Sequence, residues 1–212
     1  MGRPREFDEI KVLEAAGEAF WAKGYQGTST RDLTKCTGLT QGSIYAAFGD
    51  KRGIFLCSLR HYLDSILGER IARLESSLSP REALAGFFTE VIDRSLSDSQ
   101  HRGCMLVNTA LEGTSDDPDL QQLVADETIV IEQFFRRCIV AAQIAGDIAE
   151  GRSADDDARH LLSVLLGLRV LARIRPDAEL LEGLVHPALA TLGIPWSASA
   201  AIRDALRKTP AN

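Results

Sequence analysis

From Thr40 to Lys51 the chain reads TQGSIYAAFGDK, and its polar side chains are of types that hydrogen-bond to nucleic acid rather than break covalent bonds. Gln41 carries a donor and an acceptor that match an adenine edge. The hydroxyls of Thr40 and Ser43 suit bases or phosphates, the Tyr45 hydroxyl suits phosphate, and Gly42 permits close approach of backbone to a groove. Lys51 adds a charge aimed at phosphate. A second candidate is chemically different: Cys104, in the segment HRGCMLVNTALE. A thiol near the start of an expected helix, behind His101 and Arg102, is placed to favour the thiolate and so to react with electrophiles or oxidants. Its other reading is a small buried apolar side chain. His101 and Cys104 alone are too few for a metal site. No GxGxxG, phosphate-loop, GxSxG or HExxH pattern occurs, so neither an enzyme nor a cofactor is expected.

The elements that must position these side chains are short and well punctuated. Ser29 can cap a helix whose Asp32 completes a capping box, with Leu33 and Cys36 on one side. Gly38 supplies the permissive backbone for a sharp turn, Leu39 an apolar anchor, and Thr40 a cap for the next helix. In that helix Ile44 and Phe48 recur four apart and point inward. Ahead of both, Phe7 to Lys23 carries Ile10, Leu13, Ala16 and Phe20 as an inward stripe, ended by Gly24. Two short helices around a tight turn after a longer amphipathic one form the layout of a DNA-binding helix-turn-helix.

From Val12 through IFLCSL the chain resembles the TetR family of bacterial transcriptional repressors, over about its first sixty residues. The resemblance implies DNA contact by Thr28, Thr40, Gln41, Gly42, Ser43, Tyr45 and Lys51, with Arg31 in addition. Two departures shift the expected contacts: Gln41 stands where the family commonly has Lys, and Ala46 and Ala47 where aromatic residues or His are frequent. The segment around Cys104 resembles a subgroup that includes regulators responding to electrophiles and acrylate-like compounds. The resemblance also implies pairing through a four-helix bundle built from the last two long helices, with Leu161, Leu165, Leu168, Leu181, Leu184 and Leu189 at the interface.

Charge is unevenly spread. The chain is acidic at net −6, yet residues 1–60 hold nine Lys or Arg against seven Asp or Glu, so the basic side belongs to the helix-turn-helix. Arg3 and Arg5 can extend it as an arm. With 212 residues and 45% hydrophobic content, the expected fold is all-α: a three-helix helix-turn-helix domain over 1–52 and a larger helical ligand-binding and dimerisation domain over 53–212, joined by a helix from about 51 to 76. Further helices are expected from Pro80 to about Leu96, Cys104 to Glu112, 118 to 146, after Ser153, and 178 to 192, the last kinked by Pro187. Phe87, Phe88, Phe134, Phe135 and Trp196 are candidates to line a ligand cavity, oriented by Asn108, Glu112 or Arg169. Lacking an apolar run of spanning length, a signal peptide or paired cysteines, the protein is expected in the cytoplasm with reduced thiols and no membrane partner. The expected partners are a pseudo-palindromic double-stranded operator, a small-molecule or electrophile inducer, and a second copy of the chain. The alternatives are a regulator with a noncovalent ligand and structural cysteines, or a helical interaction module without DNA binding.

Overall fold

The computed structural model describes residues 7–113 and 117–196. The arm at Arg3 and Arg5 and the chain after Trp196 lie outside them. The order is α1 (Glu9–Gly27), α2 (Thr30–Thr37), α3 (Gln41–Phe48), α4 (Lys51–Tyr62), a π-helical segment (Leu63–Gly68), α5 (Glu69–Ser77), α6 (Pro80–Ser97), α7 (Met105–Gly113), α8 (Pro118–Ile144), α9 (Ala154–Ile174) and α10 (Ala178–Ala190). Among the described residues there is no strand, and no helix is long and apolar enough to cross a membrane.

Two compact units result. The first takes the chain up to Gly68 together with Asn108–Val124; the second takes Glu69–Val107 and the chain from Ala125 onward. The division therefore falls sixteen residues beyond the boundary expected after residue 52, because α4 packs along α1 and belongs to the first unit.

In the first unit, the core of α1 is Val12, Ala16, Phe20 and Trp21, while Ile10 is 59% exposed. The buried stripe thus begins two residues later than its sequence spacing predicts, at Val12 rather than Ile10. Phe20 meets Phe55 of α4 edge-on, with ring centroids 4.8 Å apart. Leu33, Ile44, Ile54 and Leu59, each wholly buried, bring α2, α3 and α4 into the same core. Cys36 does not join it: the residue is exposed, and its Sγ donates to the Leu33 carbonyl at 3.4 Å.

The end of α1 is fixed by three contacts. Gly24 breaks the helix at φ 74°. The Thr28 hydroxyl folds back to donate to the Gly24 carbonyl at 2.7 Å, and the Tyr25 N–H donates to the Glu112 carboxylate at 3.1 Å. A Cβ at Gly24 would fall 2.7 Å from Oε1 of Glu112, so the position needs glycine for space as well as for its positive φ. Glu112, expected to orient a ligand, is an exposed clamp on the backbone of α1 instead.

In the second unit Phe87 and Phe88 of α6 and Phe134 and Phe135 of α8 pack on one another with at most 1% exposure. Phe87 meets Phe135 edge-on at 5.2 Å, and Phe88 stacks on Phe135 at 5.5 Å. The four rings, expected as cavity lining, are packed against one another in the core. Leu161, Leu165, Leu168, Leu181 and Leu189 are buried at 4% exposure or less within a single chain. They are core rather than a pairing face; of the six interface candidates only Leu184 is left half-buried. The helix expected after Ser153 starts there, Ser153 Oγ accepting from Asp156 N–H, and α6 begins at Pro80 as expected, where the Glu82 carboxylate accepts from Ser79 N–H. Pro187 does not divide α10, which runs through it to Ala190.

Within the first unit Arg52, at the start of α4, pairs with Asp117 at 2.6 and 2.7 Å and with Asp119 at 2.6 Å. The Arg52 hydrogen bonds hold the Asp117 carboxyl at about 2, below its ordinary 3.8. A depressed carboxylate stabilises the fold fully above its unfolded pKa and loses that contribution as pH falls through the folded one. Acid unfolding followed by circular dichroism should show a loss between about pH 4 and pH 2 that Asp117→Asn lacks. Solvent screens the pair, so the difference at neutral pH should be small.

Candidate nucleic-acid interface

The motif residues fold by local rules. Ser29 caps α2, its Oγ accepting from Asp32 N–H at 3.1 Å while the Asp32 carboxylate accepts from Ser29 N–H at 2.9 Å. Lys23 of α1 reaches the same carboxylate at 2.5 Å and holds its pKa well below the usual range. α2 ends at Gly38, left-handed at φ 71°. Thr40 caps α3, its Oγ1 accepting from Ser43 N–H at 3.1 Å and sharing a hydroxyl hydrogen bond with Ser43 at 2.9 Å. Ile44, wholly buried, anchors the helix.

That anchoring turns Thr40, Gln41, Gly42 and Ser43 outward, and all four are exposed, as is Arg31 of α2. Around Gly42 a Cβ would meet nothing nearer than Thr40 Oγ1 at 3.9 Å, so the fold itself does not require glycine there. The first turn of α3 also presents backbone N–H groups of the kind that take phosphate oxygens. Tyr45 is half-buried, with its hydroxyl 3.2 Å from Thr30 Oγ1. This hydrogen bond ties the two helices of the motif together and adds Thr30 to the polar surface. Thr30 is absent from the sequence-derived set because nothing in its spacing distinguishes it from the capping run around Ser29. Lys51 is half-buried with its ammonium 4.5 Å from the centroid of the Tyr25 ring, a cation–π contact that leaves the charge near the surface.

One expected DNA contact fails. Thr28 has no exposed surface, and its hydroxyl is committed to the carbonyls of Gly24 and Ala19. It closes α1 and does not face outward.

The sensor candidates divide differently. Cys104 is half-buried and immediately precedes α7. The Arg102 guanidinium, expected to act on that thiol, is paired with Asp98 at 3.3 Å, and the Arg102 N–H also donates to Asp98 at 2.8 Å. Asn108 is buried at 9% exposure, and Arg169, equally buried, donates to Ser95 Oγ at 3.3 Å. Cys138 is buried, which pushes its thiol up to about 12. Among the described residues no three His, Cys, Asp or Glu side chains gather as metal ligands.

Residues 12–56 match the family model for bacterial regulatory proteins of the tetR family, and residues 80–186 match the tetracyclin repressor-like C-terminal domain. The HTH-type transcriptional regulator YezE of Bacillus subtilis is 31% identical over 91% of this chain and its own whole length. The HTH-type transcriptional repressor ComR of Escherichia coli is 28% identical over 90% of each chain. The solved structure of a cysteine mutant of the TetR family regulator CifR, complexed with 26-bp double-strand operator DNA, superposes with a TM-score of 0.79 at 34% identity, covering 89% of this chain and 98% of its own. An exposed reading helix on a helix-turn-helix scaffold, with relatives of this kind along nearly the whole chain, makes the protein a DNA-binding transcriptional regulator that belongs to the tetR family.

Proposed function

We propose that the chain is a homodimeric, cytoplasmic repressor that sets one α3 per protomer into successive major grooves of a pseudo-palindromic operator, about 34–36 Å apart. The observation that carries this reading is the outward cluster Thr40 to Ser43 on a helix whose inward face is a single wholly buried Ile44. CifR is crystallised on operator DNA, and the likeness to it extends to the second unit. Gln41 reads a base edge, Gly42 gives the backbone its approach, and Ser43, Arg31, Tyr45 and Lys51 hold phosphates. Gln41→Ala should weaken binding to the operator by about 1–3 kcal/mol while leaving binding to unrelated DNA nearly unchanged. Thr28→Val, which loosens the end of α1 without touching an outward side chain, should instead lower stability by about 1 kcal/mol and weaken operator and unrelated DNA alike, leaving their ratio near wild type. Fluorescence anisotropy paired with thermal melts separates the two.

Release is assigned to a small-molecule or electrophilic inducer, with Cys104 as the reacting thiol. Of the four cysteines Cys138 is buried, burial also raises the Cys36 thiol, and Cys57 and Cys104 are half-buried. Cys104 keeps partial access, and α7, the helix it precedes, carries the Glu112 that holds the end of α1. Operator binding measured before and after a thiol-reactive electrophile should be abolished in the wild type and retained in Cys104→Ser. Equal loss in both would remove Cys104 from the role, and no loss in either would favour a noncovalent inducer.

Pairing is assigned to the faces of α9 and α10 that the core leaves uncovered. Leu162, Leu166 and Val170 recur four apart on α9 and are half-buried, as are Leu180 and Leu184 on α10. This set replaces the buried leucines, with Leu184 common to both. Leu166→Arg should yield a monomer by light scattering and weaken operator binding by about tenfold or more, about 1.4 kcal/mol.

A further inference from the structure

A cavity of about 430 Å³ opens within the first unit between α1, α4 and the π-helical segment. Its size falls within the range of small-molecule sites. Glu14, Glu18 and Trp21 line it from α1, and Ser58, His61 and Tyr62 from α4. No Lys or Arg lines it. Glu14 and Glu18 stand one helical turn apart on the same face, so their carboxylates share the mouth. His61 Nε2 lies 3.8 Å from Glu14 Oε1. Trp21 and Tyr62 meet edge-on with centroids 5.5 Å apart, forming an aromatic wall.

Ser58 supplies an independent observation. It is 1% exposed, and its Oγ is buried without a hydrogen-bond partner. Elsewhere in these helices buried or half-buried hydroxyls return to the carbonyl four residues earlier: Ser65 to His61 at 2.7 Å, Thr89 to Ala85 at 2.8 Å, Ser95 to Val91 at 2.7 Å. Ser58 declines that bond although it sits in the same kind of helix. A buried hydroxyl left unpaired costs about 1–3 kcal/mol, which a ligand atom can recover. The adjoining segment Leu63–Gly68 is π-helical, a local widening frequent at functional sites, and it places Ser65 and Ile66 on the cavity wall.

We infer that this cavity is a second small-molecule site, inside the DNA-binding unit, for an organic amine with an apolar body. The two carboxylates neutralise its ammonium group, the Trp21 and Tyr62 rings receive its apolar part and the adjacent cation, and Ser58 Oγ takes a hydrogen bond at the inner wall. Neutral and anionic analogues of the same shape lack the matching charge. Recognition depends on no feature of DNA binding or of Cys104, so it is tested on the DNA-free protein.

The probes are 3-phenylpropylamine, 3-phenylpropanol and 3-phenylpropionate, titrated by calorimetry and by Trp21 emission in a Trp196→Phe background. The amine should saturate and quench Trp21, binding about tenfold or more tighter than the alcohol, with the carboxylate weaker still. Glu14→Gln with Glu18→Gln should abolish the preference for the amine while far-ultraviolet circular dichroism and the thermal midpoint stay near wild type; both residues are exposed at the mouth. Ser58→Ala should weaken the amine a few-fold. Equal affinity for the three probes, an absence of saturable binding, or a preference for the amine that survives the double substitution would each overturn the assignment.

Discussion

The hydrogen bonds at the end of α1 are the constraint on which the reading surface depends. α2 begins only three residues after α1 ends, so any change in how α1 terminates redirects the whole helix-turn-helix. Gly24 takes a positive φ that only glycine adopts cheaply, and the Thr28 hydroxyl binds back to its carbonyl. Glu112 then takes the Tyr25 N–H, a backbone donor exposed by the break itself. A residue eighty-seven positions away in sequence thus completes the end of the first helix. Lys23 adds a tie from α1 to the capping carboxylate of α2, and Tyr45 to Thr30 a tie from α3 to α2. The motif is held by a chain of local polar contacts laid over a small core centred on Ile44, Leu33 and Phe20.

What was legible in the sequence is what local chemistry decides. Ser29 with Asp32, Thr40 and Ser153 each cap a helix at the place their spacing indicates, because a cap needs only residues within one turn. The outward set on α3 followed from Ile44 and Phe48 recurring four apart, of which Ile44 is wholly buried and Phe48 half-buried. The errors share a different cause. Thr28 sits beside the motif and has the right side chain, but its burial is decided by how α1 ends, which depends on Glu112. Leu161, Leu165 and Leu168 have the spacing of a helix stripe, and spacing alone does not tell a stripe facing the chain's own core from one facing a partner. Spacing is equally silent on the four phenylalanines, since aromatic residues at helical spacing serve a core or a pocket equally well.

Ile10 shows how small the margin is. Its stripe of Ile10, Leu13, Ala16 and Phe20 and the observed Val12, Ala16 and Phe20 share two members and differ by a slight rotation of α1. That rotation has a consequence beyond the core, because it places Leu13 on the wall of the cavity between α1 and α4 and turns Glu14 and Glu18 toward its mouth. Gly17 lies at the closest approach of the two helices, where an added Cβ would meet Ser58 Cβ at 3.8 Å. Small residues at 17 and 58 let the helices cross closely there, while larger ones on either side hold them apart.

The charge distribution bears on how the reading helix must work. The chain is acidic overall, and two of the cations in its first unit, Lys23 and Arg52, are paired with Asp32 and with Asp117 and Asp119. α3 itself carries no basic residue, having Gln41 where the family commonly has Lys and alanine at 46 and 47. Phosphate contacts release counterions and supply most of the affinity for DNA of any sequence, so a surface with few cations holds unrelated DNA weakly. Base-edge contacts and the dipole of a helix end depend on geometry more than on net charge. If Thr40, Gln41, Gly42 and Ser43 make the contacts proposed for them, the reading helix draws a larger share of its binding free energy from the operator's sequence than a lysine-rich one would.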